Sequence, residues 1–138
     1  MRRIATLGLL LLVAFIANAN TPAFVRGVTI LEFKEDEVSI TKDHEKLIAS
    51  VFERLLECGG PVARGKTIFY LNSGMQRKDP SRDLNVLGAR AYRVSDFLIA
   101  NGAREEMIGI QIHPKPRQGL PLLKQVEQYV EIQWSCRK

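Results

Sequence analysis

The stretch DLNVLGARAYRVSDFLIANGA, Asp83 to Ala103, decides the fold. Read at 3.6 residues per turn, Ala91, Val94, Leu98 and Phe97 fall on one stripe, which predicts a helix from Leu84 or Val86 to Ala100. Asn101-Gly102 supplies the stop, because glycine accepts the left-handed conformation that closes a helix. Downstream, MIGIQIH sets Ile108, Ile110 and Ile112 on one face at period two, a strand. Upstream, TIFYLN, Thr67 to Asn72, is rich in strand-forming residues. A helix between two strands implies a crossover connection.

The same reading extends to both ends. VTILEF, Val28 to Phe33, predicts an opening strand, KEDE an exposed turn, and Val38-Ser39-Ile40 the close of that strand. Thr41 and Asp43 are capping types ahead of HEKLIASVFERLLEC. In that helix Leu47, Ile48, Val51, Phe52, Leu55 and Leu56 form one broad apolar face, and His44 falls in an exposed first turn. Gly59-Gly60 and Pro61 end it. SGMQRKDPSRD reads as a polar loop and HPKPRQGLP as a Pro-rich one. QYVEIQW alternates Val130, Ile132 and Trp134 with Glu131 and Gln133, the last strand. The order is β-α-β-α-β-β, an α/β (α+β) two-layer sandwich with both helices on one face of a mixed four-stranded sheet. The last two strands are expected to pair as a hairpin across the long loop.

The N-terminus reads as an export signal. Arg2 and Arg3 precede an apolar run from Ile4 to Ile16, and Ala17-Asn18-Ala19 offers a cleavage site. The expected division is a signal peptide over residues 1–19, a tether over 20–26 and one domain over 27–138. Losing Arg2 and Arg3 lowers the formal charge from +5 to +3, too mild for a nucleic-acid-binding face. Cys58 and Cys136 have no neighbours at metal-ligand or redox spacing, and in an oxidising compartment they can form a structural disulfide or remain buried thiols. No cofactor or metal site is expected.

From Gly60 to Thr67 the chain fits the G-x-x-x-x-G-K-[ST] phosphate loop. That loop must leave a strand and enter a helix, so that loop amides and helix N-terminus converge on the phosphates. Here a helix enters and a strand leaves, which argues against nucleotide binding. An enzyme using Cys58 or Cys136 would need His113 as its base.

Asn85, Leu87, Gly88, Arg90, Ala91, Val94, Phe97, Leu98 and Gly102, with the opening strand ending at Phe33 and the closing YVEIQW, resemble the outer-membrane-protein-A-like (OmpA-like) domains of bacterial envelopes. The resemblance spans most of residues 27–138 and is most specific from Arg90 through Gly102. It implies a non-catalytic, peptidoglycan-binding module of the periplasm or cell envelope. In the family an Arg holds the carboxylate, and an Asp the ammonium, of diaminopimelate in the stem peptide; a guanidinium fork and a carboxylate suit those two groups. The Arg maps onto Arg90. The Asp position is occupied by Met75, so Asp79 or Asp83 would supply the carboxylate, with Asn72, Ser73 and Asn85 completing the pocket. Without a ligand, Arg90 would be a solvated helix residue or a partner of Asp83. The alternative is a degenerate domain that contacts other envelope proteins and no longer binds the wall.

Overall fold

A computed structural model describes residues 24–56, 67–76, 84–118 and 126–137. Four strands and two helices follow in order: β1 (Phe24–Glu32), α1 (Lys42–Leu55), β2 (Thr67–Met75), α2 (Leu84–Ala100), β3 (Ile108–His113) and β4 (Gln128–Arg137). A 3-10 turn, Glu105–Met107, leads into β3. The expected signal peptide lies outside the described residues. β1 starts at Phe24, inside the stretch read as a tether.

The sheet order is β1-β4-β2-β3. β4 runs antiparallel to both β1 and β2, while β3 runs parallel to β2. The expected β3–β4 hairpin does not form. α2 carries the chain from β2 over to a parallel β3, and that places β3 at an edge. The remaining slot beside β2 and β1 is central, and β4 fills it. Its composition suits the place: from Gln128 to Ile132 every residue is buried, on both faces of the sheet.

Both helices pack on one face. α1 begins with a capping box, in which Thr41 Oγ1 accepts from the His44 amide and His44 Nδ1 accepts from the Thr41 amide. Its buried stripe is His44, Ile48, Val51 and Leu55, narrower than the sequence reading. Leu47 and Leu56 stay largely exposed. His44 is therefore not the exposed residue expected. It is 5% exposed, lies 4.5 Å from the Phe33 ring, and its Nε2 is 2.6 Å from the Glu32 carbonyl. α2 buries Leu87, Arg90, Ala91, Val94 and Leu98. The turn that closes it holds Gly102, whose φ of 108° is open to glycine at little cost. Leu31, Phe33, Phe69, Leu71, Val130, Ile132 and Trp134 meet these stripes from the sheet.

Candidate functional site

Arg90 is the charged residue of α2's buried stripe, and it is 0% exposed. Its Nε donates to the Glu37 carbonyl at 2.6 Å and its Nη2 to the Lys34 carbonyl at 2.9 Å. The guanidinium carbon sits 5.1 Å from the centre of the Phe33 ring, a cation–π distance. Those carbonyls belong to the turn between β1 and α1. The turn is closed by the Glu37 amide on the Lys34 carbonyl at 3.1 Å and by the Lys34 amide on Glu37 Oε2 at 3.0 Å. Asp36 adopts φ 59° at its tip, a left-handed conformation that Asp tolerates better than most residues. Arg90 is thus a clamp across more than fifty residues of chain. Solvation on the helix surface, the plain reading of the sequence, is not what is found.

The other sequence-derived site residues divide between locations. Ser73 is fully buried on the core side of β2 and donates to the Leu87 carbonyl at 2.7 Å, which joins β2 to the first turns of α2. Asn85 is exposed on the first turn of α2. Asn72, the neighbour of Ser73 in an extended strand, points to the opposite face of the sheet. It does not share a pocket with Ser73 or Arg90. Asp79, Asp83 and Cys58, like most of the Gly60–Thr67 loop, lie outside the described residues. Around that loop α1 ends at Leu55 and β2 starts at Thr67, the helix-to-strand order read from the sequence.

On the face of the sheet away from α1 and α2, Asn72 belongs to a polar network centred on Glu131. One oxygen of Glu131, Oε1, accepts from Gln133 Nε2 at 2.8 Å, Asn72 Nδ2 at 3.0 Å and Arg117 Nη1 at 3.1 Å. The Glu131 side chain is only 5% exposed. His113 Nε2 lies 2.9 Å from Asn72 Oδ1. Because the Asn72 amide nitrogen already donates to Glu131, its oxygen accepts and the imidazole donates. Gln76 exchanges two bonds with the Arg117 backbone, at 2.6 and 2.7 Å, and so pins the chain after β3 over this face. Burial lowers His113 below its ordinary pKa of 6.5, the Arg117 charge lowers it further, and Glu131 opposes both. Burial also raises the Tyr129 phenol, against the pull of Arg117. Burial alone would lower Arg117, but its contacts with Tyr129 and Glu131 outweigh that and raise it.

Sequence reasoning missed this network because Glu131 stands at an alternating, outward position that normally meets water. The available signal was Arg117 of the Pro-rich loop, a long cation able to fold back onto that face. Chemically, one oxygen of the carboxylate is occupied by three donors and the imidazole is hydrogen-bonded to an amide through Nε2. The cysteine–histidine reading also fails for Cys136. That residue faces the core and pairs in register with Thr67, whereas His113 pairs with Gly74 on the other face. Seven residues of strand separate the two levels, about 23 Å. Among the described residues no three His, Cys, Asp or Glu side chains come together as metal ligands.

Protein-family models and curated sequences gave no match to this chain. Solved structures did. The chain is similar to the OmpA-like domain of FopA1 from Francisella tularensis, with a TM-score of 0.63 and 16% identity over 83% of this chain and 76% of that one. It is similar to the periplasmic domain of Helicobacter pylori MotB, with a TM-score of 0.54 and 12% identity over 87% and 82% of the two chains. It also resembles the cell wall anchor of the T6SS from Pseudomonas aeruginosa, with a TM-score of 0.52 and 15% identity over 91% and 94%. With two helices on one face of a sheet ordered β1-β4-β2-β3, this chain carries the OmpA-like domain fold.

Proposed function

We propose that this protein is a non-catalytic module of the bacterial cell envelope that associates with peptidoglycan. The observation that carries the reading is the shared fold with a periplasmic domain and a cell wall anchor over most of the chain. The signal-peptide pattern of residues 1–19 supports export to the periplasm. Among the described residues no helix is long and apolar enough to cross a membrane.

The finer reading is a grip on stem-peptide diaminopimelate, with Arg90 taking the carboxylate and Asp79 or Asp83 the ammonium, and with Ser73 and Asn85 beside them. Its support is the place of Arg90 in the second turn of α2, seven residues after Asp83 in the sequence. A specific observation favours the second reading, an envelope-assembly component without wall binding: two donors of Arg90 are already bound to the Lys34 and Glu37 carbonyls. Cosedimentation with purified sacculi separates the two. Wall binding predicts saturable retention, competed by diaminopimelate-containing stem peptide and weakened in Asp79→Asn or Asp83→Asn. A wild-type protein that stays in the supernatant leaves the assembly reading.

A disulfide between Cys58 and Cys136 is part of the proposal. It is supported by the exported context, by the burial of Cys136 at 1% exposure, and by the lack of any free cysteine among the described residues.

A further inference from the structure

β1 closes one end of the sheet: β4 lies on one side of it, and among the described residues no strand lies on the other. Alternate residues of an antiparallel strand turn their amides and carbonyls to opposite sides. The Phe33 amide donates to the Gln128 carbonyl at 3.0 Å, on the line that continues the β1–β4 register, so the odd-numbered residues face β4. The even-numbered ones, Arg26, Val28, Ile30 and Glu32, face outward. The Glu32 carbonyl agrees, since it is met by His44 Nε2 of α1. At Val28 and Ile30 no hydrogen bond to the outward groups is found among the described residues. Proline and β-bulges commonly blunt such an edge. β1, FVRGVTILE, has neither over its nine residues and keeps unbroken register with β4. Its two charges, Arg26 and Glu32, are of opposite sign and stand towards opposite ends.

We propose that β1 pairs antiparallel with β1 of a second copy about a two-fold axis at Thr29, joining two four-stranded sheets into one. The outward groups meet only where even-numbered residues stand opposite even-numbered residues. Of those registers, the one centred on Thr29 alone sets Arg26 opposite the partner's Glu32 and, by symmetry, Glu32 opposite the partner's Arg26. Val28 then stands opposite the partner's Ile30, and the two exchange both backbone hydrogen bonds. All four side chains lie on the face away from the helices, where Val28 is 42% exposed and Ile30 half-buried. Pairing therefore covers apolar surface and satisfies the edge together. Glu32 shares the wall of an acidic cavity with Glu35 and Asp43, so the antiparallel arrangement also keeps the two acidic ends apart. The opposite edge, β3, is IGIQIH and has no such pair of unlike charges. The surface uses neither Arg90 nor the loop aspartates, so it stands or falls apart from wall binding.

The test is sedimentation equilibrium and amide exchange on the exported, ¹⁵N-labelled protein from about 10 μM to about 1 mM, the range of a weak interface. A monomer–dimer equilibrium is expected. The Val28 and Ile30 amides should slow about tenfold as the dimer forms, while those of Thr29 and Leu31, already turned to β4, should not change. Arg26→Glu or Glu32→Arg alone sets like charges opposite each other at both ends and should weaken dimerisation about tenfold or more. An equimolar mixture of the two variants restores unlike charges at both ends, so the mixed dimer should form with wild-type affinity. Should either variant fail to fold, the exchange pattern of the wild type decides. A monomer over the whole range, exchange at Val28 and Ile30 independent of concentration, growth into species larger than a dimer, or no rescue in the mixture of folded variants would each overturn the proposal.

Discussion

Replacing Arg90 by Met separates its structural work from any ligand role. Methionine keeps an unbranched aliphatic stem in the buried stripe of α2 and removes the guanidinium. Two charge-assisted bonds go, at 2.6 and 2.9 Å, and the Lys34 and Glu37 carbonyls lose those donors. Bonds to charged groups are worth about 1.5–3 kcal/mol each. The stacking on Phe33 at 5.1 Å adds about 0.5–2 kcal/mol. Against these stands relief from burying a full charge, which costs several kcal/mol in a low-dielectric interior. The balance is a net loss of about 3 kcal/mol, a large share of the 5–15 kcal/mol typical of a domain. Urea unfolding followed by Trp134, the one tryptophan of the chain, reads this directly. The midpoint should fall by about 1–2 M at a slope near 2 kcal/mol/M. Amide exchange should quicken in residues 34–37 more than in β4, because the turn loses its clamp. A midpoint within 0.3 M of wild type, with unchanged exchange in the turn, would show that the carbonyl bonds contribute little. Sacculus retention measured on the folded variant then reports ligand contact alone.

Three further outcomes follow from single contacts. A Cβ on Gly27 would lie 2.3 Å from Trp134 Cζ2 and 2.4 Å from Cε2, so Gly27→Ala should cost about 3 kcal/mol by overpacking and shift Trp134 emission; a thermal midpoint unchanged within 2 °C would refute this. His113, with its folded pKa depressed below 6.5, binds its proton more readily in the unfolded chain, so its contribution is intact above pH 6.5 and is lost as the pH falls below that value. His113→Gln should flatten that part of the stability–pH curve, and an identical slope in wild type and variant would remove His113 as its source. For the proposed disulfide, reduction should destabilise by about 4 kcal/mol for a loop of roughly 80 residues, and two titratable thiols in the exported protein would disprove the bridge.

The elements were legible in the sequence because each rests on local chemistry: the Thr41 cap, the Ala91–Val94–Leu98 stripe, the left-handed Gly102. Strand pairing was not, because it depends on what remains after the helices choose a face. β3 and β4 are neighbours in sequence, and a hairpin is the cheapest closure in loop entropy. Yet α2 docks on β2 and β3 together, which commits β3 to a parallel edge. The central slot then goes to the strand able to be buried on both faces. In β4 the alternation of Val130, Ile132 and Trp134 with Glu131 and Gln133 argued for one wet face, and that inference failed on Glu131. A carboxylate can occupy a central strand's open face when the preceding connection brings its own cation, and Arg117 does so. The surroundings of Arg90 were not legible for a related reason. Arg90 was recognisable by its place in the helix motif, but a motif gives a residue's position along the chain and not the direction of its donors. Those donors meet the carbonyls of a turn more than fifty residues away, a contact that no periodicity encodes. The same turn walls the acidic cavity beside Gln128. One side of that turn therefore serves the fold through Arg90, and the other is an open acidic surface.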